Sequence, residues 1–171
     1  MDIWSKEIPW TSPEMHRWHH VRDSQLRECN FGNNLDALEE MGKQVYGIDP
    51  IEEVLIGGVG RARATAFALP FPDNSFDLVL CAGVLCHISP SVLAGALNEI
   101  RRVCGKCLAV IDYEAIPEKA QRFRDADFLW RRDIEQCLSD YSTLNKLESG
   151  LTDAWDKKNQ MKYMVYEKVM R

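Results

Sequence analysis

The chain has 171 residues, and its 21 Lys+Arg against 26 Asp+Glu give a net charge of −5 at pH 7. That length predicts one domain, residues 1–171, with a core large enough to stand without disulfide staples. No apolar run reaches the roughly 20 residues of a membrane span and MDIWSKEIPW lacks the basic-then-apolar order of a signal peptide, so a soluble, cytoplasmic protein without a membrane partner is expected.

No block of Lys/Arg is longer than a pair. This argues against a nucleic-acid partner, whose phosphates need clustered positive charge, and favours a small molecule. The cysteines Cys29, Cys81, Cys86, Cys104, Cys107 and Cys137 sit mostly in apolar segments, as free buried thiols do, which points to a reducing compartment.

In chain order, residues 1–24 carry Trp4, Trp10, Trp18, His16, His19 and His20 without a clear period and read as an N-terminal arm or lid; residues 25–171 read as the core. The three histidines share one helical face, a spacing that can bind zinc, but no matching Cys or carboxylate is placed to complete a site and no metal is expected. ECNFGNN reads as a turn opening a helix after a first strand. NLDALEEMG spaces Leu35, Leu38 and Met41 as a surface helix stopped by Gly42. KQVYGID reads as a strand ending at Asp49, whereas IEEVLIGGVGRARATA is too Gly-rich to assign.

FDLVLC, Phe76 to Cys81, is a continuous apolar strand whose pattern predicts burial on both faces, as in a parallel sheet. Ser89 or Ser91 then caps a helix with a stripe of Val92, Leu93, Ala96, Leu97 and Ile100 that ends near Gly105. CLAVID is the next strand. Cys104 and Cys107 form a CxxC with no second pair to complete a zinc site. RRDIEQCLSDY reads as helical, and TLNKLESG and MKYMVYEK as extended segments that pair antiparallel at the sheet edge.

Alternating strands and helices make an α/β fold, and ligands of such sheets bind beyond the carboxyl ends of the strands. The informative positions are therefore the ECNFGNN turn, Asp49, Cys81 to His87, and Asp112 to Glu114. The step from Gly32 to Asp49 matches the spacing at which a nucleotide-binding fold sets a carboxylate on ribose hydroxyls.

GIDP followed by ALPFPDNSFDLVLCAGVLCHISPSVLAGALNEIRRV resembles the class I S-adenosylmethionine-dependent methyltransferases over about Glu28 to Tyr113. GVLCHISP, the Cys of RRVC, IDYEA and FLWRRD are similar, more narrowly, to methylases associated with pseudaminic acid biosynthesis. The resemblance implies a Rossmann-like sheet, mostly parallel with an antiparallel C-terminal edge strand and helices on both faces. It implies S-adenosyl-L-methionine as cofactor and methylation of a small acceptor, such as an amino sugar or its nucleotide conjugate.

It further implies that Cys29, Asn30, Phe31 and Gly32 underlie the methionine portion, that Asp49 with Pro50 holds the ribose, that Thr65 and Ala66 lie near the adenine, and that Ala82 and Gly83 lie near the amino-acid end. His87 becomes the candidate base and Tyr113 the second catalytic residue, with Glu114, Arg131 and Arg132 orienting or binding the acceptor. The chain departs from the family at the glycine-rich turn, where Glu28-Cys29-Asn30-Phe31-Gly32 keeps only the last glycine of GxGxG, and near the adenine, where Thr65 stands in place of an acid. That eroded turn motivates a competing reading as a catalytically weak binding or assembly module, and a third is methylation of a protein or nucleic acid. A homodimer in which a partner covers the open face also fits so short a chain.

Overall fold

The computed structural model describes residues 38–50, 60–113, 121–122, 130–152 and 161–169. The N-terminal arm, the ECNFGNN turn and Glu114 lie outside them.

Residues 38–40 are helical. Gly42, at φ +72°, closes this turn as a left-handed stop, its N–H bonding the carbonyl of Glu39 at 2.8 Å. Strand β1, Gly47–Asp49, pairs in parallel with β2, Arg61–Arg63. The expected strand KQVYGID is thus trimmed to its last three residues. Its partner enters at Gly60, held at φ +83°, where a Cβ would come within 2.6 Å of the Val45 carbonyl; only glycine lets the two backbones approach there.

The main sheet has the order β3-β4-β8-β7, formed by Phe76–Ala82, Cys104–Tyr113, Met161–Lys168 and Leu144–Thr152. β3 and β4 are parallel, whereas β4 with β8 and β8 with β7 are antiparallel. Of these four strands β3, β4 and β7 run one way and the C-terminal β8 runs against them, as expected, but β8 lies between β4 and β7, so that β7 and not the C-terminal strand takes the edge among the described residues. β5, Gln121–Arg122, and β6, Trp130–Arg131, make a small antiparallel pair.

A short 3-10 turn, Leu85–His87, follows β3 and leads to α1, Pro90–Val103. Ser89 sits at the N-cap position of α1 without a side-chain cap bond, and Pro90 fills the first turn, where a missing N–H costs nothing. The helix stops at Val103 and β4 begins at once at Cys104, so the CxxC straddles no loop. Lys168 caps the junction, its Nζ donating to the carbonyls of Arg101 and Cys104 at 2.9 and 2.8 Å. α2, Ile134–Ser139, starts at Asp133, whose carboxylate accepts the Gln136 N–H at 2.9 Å.

Both helices pack on one face of the sheet. Leu93, Leu97 and Ile100 of α1 and Ile134 and Leu138 of α2 meet Leu108, Val110, Met164 and Tyr166. Glu135 of α2 makes ion pairs with Lys146 of β7 and Lys162 of β8, which ties this short helix to the hairpin. The opposite face of β3 is open among the described residues: Leu78 is 45% and Leu80 37% exposed, against the two-sided burial that the unbroken apolar run predicts. Helices on that second face would fall outside the described residues. The rings of Tyr46, Phe71 and Phe76 stack edgewise, with Phe71 to Phe76 at 4.8 Å, and join the β1–β2 pair to the start of β3. No helix among the described residues is long and apolar enough to cross a membrane.

Candidate functional site

The carboxyl ends of β1, β2, β3 and β4 bring Asp49, Thr65, Gly83 and Tyr113 to the ends of parallel ladders, where an open α/β sheet binds its ligands. Asp49 faces Arg63 in register, and its carbonyl accepts the Ala64 N–H at 3.1 Å. Arg63 turns back and donates through Nε to the carbonyl of Pro50 at 3.1 Å, fixing the residue that follows Asp49.

Thr65 follows β2 by two residues and is 1% exposed, with its carbonyl accepting the Ala68 N–H. Its Oγ1 has no hydrogen-bond partner among the described residues. A buried hydroxyl without a partner is costly, so this oxygen is suited to a ligand that supplies one. Ala66 packs partly against the core.

At the end of β3, Ala82 pairs with Ile111, and the Gly83 N–H donates to the Ile111 carbonyl at 2.8 Å. Gly83 adopts φ +64°, and a Cβ on it would meet nothing within 4 Å. The backbone there is bare and open, a place where a ligand can approach the main chain. A carboxylate for vicinal hydroxyls, an unsatisfied buried hydroxyl and an open glycine together fit the S-adenosylmethionine that the sequence resemblance implies.

The turn after Gly83 carries His87, half-buried, with its N–H on the Val84 carbonyl at 3.1 Å. Tyr113 ends β4 opposite Met161, and its N–H donates to the Asp112 carboxylate at 2.8 Å. Arg131 ends β6, half-buried. Arg132 does not stand open to solvent. It is 6% exposed, donates through Nη2 to the Ile88 carbonyl, and lies over the Trp130 ring at 5.8 Å.

Asp112 carries no assigned role in the sequence reading, although the alternation Leu108, Val110, Asp112 already puts it on the buried face. It is 2% exposed and accepts the Cys86 N–H at 3.0 Å. Burial pushes its pKa up to about 6, opposed by those N–H bonds and by the positive charge of Arg132. The thiols of Cys81 and Cys86 are pushed up by burial and by this carboxylate, Cys81 to about 12, so both stay protonated and behave as packing groups. Burial likewise raises Cys104 and Cys107 of the CxxC, which are free thiols.

The model of the family described as a methyltransferase domain matches residues 28–106. The crystal structure of the 1,6-didemethyltoxoflavin-N1-methyltransferase of Burkholderia thailandensis, with 1,6-didemethyltoxoflavin and S-adenosylhomocysteine bound, superposes with a TM-score of 0.75 at 14% identity, over 92% of this chain and 86% of that one. The chain has the class I methyltransferase fold. An uncharacterised protein of Methanocaldococcus jannaschii is 43% identical over 65 residues, 36% of this chain and 28% of that protein. A protein of Encephalitozoon cuniculi, provisionally named a methyltransferase, is 33% identical over 91 residues, 50% of this chain and 42% of its own length. The chain thus spans less than half the length of these two relatives. The methyltransferase-domain match contains Asp49, Thr65, Gly83 and His87 and stops before Asp112, Tyr113 and Arg132.

Proposed function

We propose that the protein binds S-adenosyl-L-methionine and transfers its methyl group to a small-molecule acceptor. The observation that carries this reading is that Asp49 at the end of β1, the Thr65 hydroxyl after β2, without a partner among the described residues, and the open Gly83 after β3 each lie beyond the carboxyl end of a parallel-paired strand in a class I methyltransferase fold. The relative from Burkholderia, solved with S-adenosylhomocysteine and a small heterocycle, supports both the cofactor and the class of acceptor.

The cofactor supplies an activated methyl on a sulfonium, so the chain has no leaving group to activate. Its own residues bind, align and exclude water. Asp49 accepts from both ribose hydroxyls, as a carboxylate can, with Pro50 beside it. Thr65 takes a hydrogen bond at the adenine end, next to Ala66. Ala82 and Gly83 hold the amino-acid end against bare backbone, and Cys29, Asn30, Phe31 and Gly32 underlie the methionine portion. His87 takes the proton of an acceptor that arrives protonated, since imidazole titrates near neutrality. Tyr113 and Glu114 orient that acceptor, and Arg131 offers a guanidinium to a carboxylate or phosphate on it.

For the acceptor, amino sugars and their nucleotide conjugates come first, on the similarity of GVLCHISP, IDYEA and FLWRRD to pseudaminic-acid-associated methylases. A cytoplasmic setting accords with the free thiols, and a homodimer with the exposed β3 face. The test is incubation with S-adenosylmethionine labelled in the methyl group and a panel of amino sugars and nucleotide sugars. Labelled sugar is the expected product. Cofactor binding without transfer to any of the panel, nor to protein or nucleic acid, would favour the fold serving as a binding module.

A further inference from the structure

Two buried charged side chains from different elements grip the turn after β3 at two backbone atoms. From β4, Asp112 accepts the Cys86 N–H on Oδ2 at 3.0 Å. From the residue after β6, Arg132 donates through Nη2 to the Ile88 carbonyl. The two contacts fall on the residues immediately before and after His87. Within the turn itself, the His87 N–H bonds the Val84 carbonyl and the Ile88 N–H the Leu85 carbonyl, each at 3.1 Å, and Val84 makes no side-chain cap bond.

A carboxylate and a guanidinium are expensive things to bury, and apolar side chains of similar size would fill the space at lower cost. Here Asp112 is 2% and Arg132 6% exposed, and Nε and Nη1 of Arg132 have no hydrogen-bond partner among the described residues. Their opposite charges attract, which offsets part of the cost of burying each. What the pair provides that an apolar core does not is direction: one fixed N–H and one fixed carbonyl on either side of a single residue.

We propose that Asp112 and Arg132 are positioning residues that bracket the Leu85–Ile88 turn and hold His87 at the carboxyl end of the sheet. This rests on the reading of that turn as a wall of the cofactor and acceptor site. Arg132 then acts through the turn and not on the acceptor, and the pair, which lies beyond the methyltransferase-domain match, reaches back to a turn inside it.

The test uses the full chain labelled with 13C-histidine, in which the His87 cross-peak is identified among the 4 histidines by its loss in His87→Gln. In the wild type one sharp His87 cross-peak is expected, moving on addition of S-adenosylhomocysteine. In Asp112→Asn and Arg132→Met it broadens or splits, and affinity for S-adenosylhomocysteine falls at least about tenfold, the scale of one charged hydrogen bond. Arg132→Lys, which keeps the charge and a donor, recovers part of both. Leu138→Ala serves as the control, loosening the core without touching the bracket and leaving the His87 cross-peak in place.

Folded bracket variants with a wild-type His87 cross-peak and affinity would overturn the proposal, as would an equal disturbance in Leu138→Ala. If the wild type binds no S-adenosylhomocysteine, the functional reading fails while the His87 line shapes still decide the bracket. If the bracket variants do not fold, hydrogen exchange of the wild-type Cys86 amide decides: protection of at least about tenfold supports the contact with Asp112, and exchange at the free-peptide rate refutes it.

Discussion

The carbonyl of Asp49 accepts the N–H of Ala64 at 3.1 Å, so the end of β1 is locked to the residue that immediately precedes Thr65. A carboxylate suited to ribose and a buried hydroxyl without a partner among the described residues are thereby tied by a backbone bond. Substitution of either side chain leaves that lock in place, and the two can be varied separately.

Thr65→Val removes a buried hydroxyl and keeps the shape. Because Oγ1 has no partner among the described residues, the unliganded variant should be more stable by about 1 kcal/mol, read from urea denaturation. Its affinity for S-adenosylhomocysteine should fall. A loss of stability would show that the hydroxyl is satisfied within the protein.

Asp112 gives stability a distinctive pH dependence. Its pKa rises from 3.8 to about 6 on folding, so between these values the native state holds a proton that the unfolded chain has released. Stability from this group is full below about pH 4, falls as pH rises to about 6, and is flat above. The span of about 2 units corresponds to roughly 3 kcal/mol. Carboxylates held low, such as Glu99 beside Arg102 and Glu135 beside two lysines, slope the other way, contributing stability above the ordinary carboxylate range and losing it on acidification. The wild-type curve minus that of Asp112→Asn, from denaturant titrations at pH 4 to 8, isolates the group. A difference that does not change with pH would contradict its raised pKa.

Leu138 is 1% exposed on a helix of 6 residues, too short to persist without its packing. Leu138→Ala should cost about 2–5 kcal/mol in denaturant unfolding, with the midpoint shifted and the slope unchanged. A cost under about 1 kcal/mol would mean that α2 is not part of the cooperative core.

His87→Gln should leave S-adenosylhomocysteine affinity within about twofold while methyl transfer to an accepted amino sugar falls by on the order of 10²-fold, the usual contribution of a general base. Wild-type turnover in the variant would remove His87 from the chemistry.

Elements whose identity is set locally were legible from the residues. MKYMVYEK alternates strand-forming side chains and is β8 to the residue, and the Leu93, Leu97 and Ile100 stripe gives α1 its buried face. Where pairing depends on a distant segment, the pattern misleads. Val45 and Tyr46 are good strand residues, yet β1 begins only at Gly47, where pairing with β2 at Arg61 starts among the described residues. Phe76 to Cys81 reads as doubly buried because nothing in an apolar run says which side is covered. The strand-end positions Asp49, Ala82 and Gly83 could be named because fold logic and family resemblance point to the same places, whereas Thr65, in a segment too Gly-rich to assign, came from the resemblance alone. The bracket of Asp112 and Arg132 could not: it joins residues 20 positions apart through the backbone of a third segment, and no spacing rule encodes such a contact.

The central claim is that these strand ends form a cofactor site, and calorimetric titration with S-adenosylhomocysteine, wild type beside Asp49→Ala, tests it most directly. The account predicts saturable one-to-one binding in the wild type and a loss of at least about tenfold in the variant, as expected for a carboxylate bonded to ligand hydroxyls. Equal affinity in the two proteins, or no wild-type binding at millimolar ligand, would contradict it.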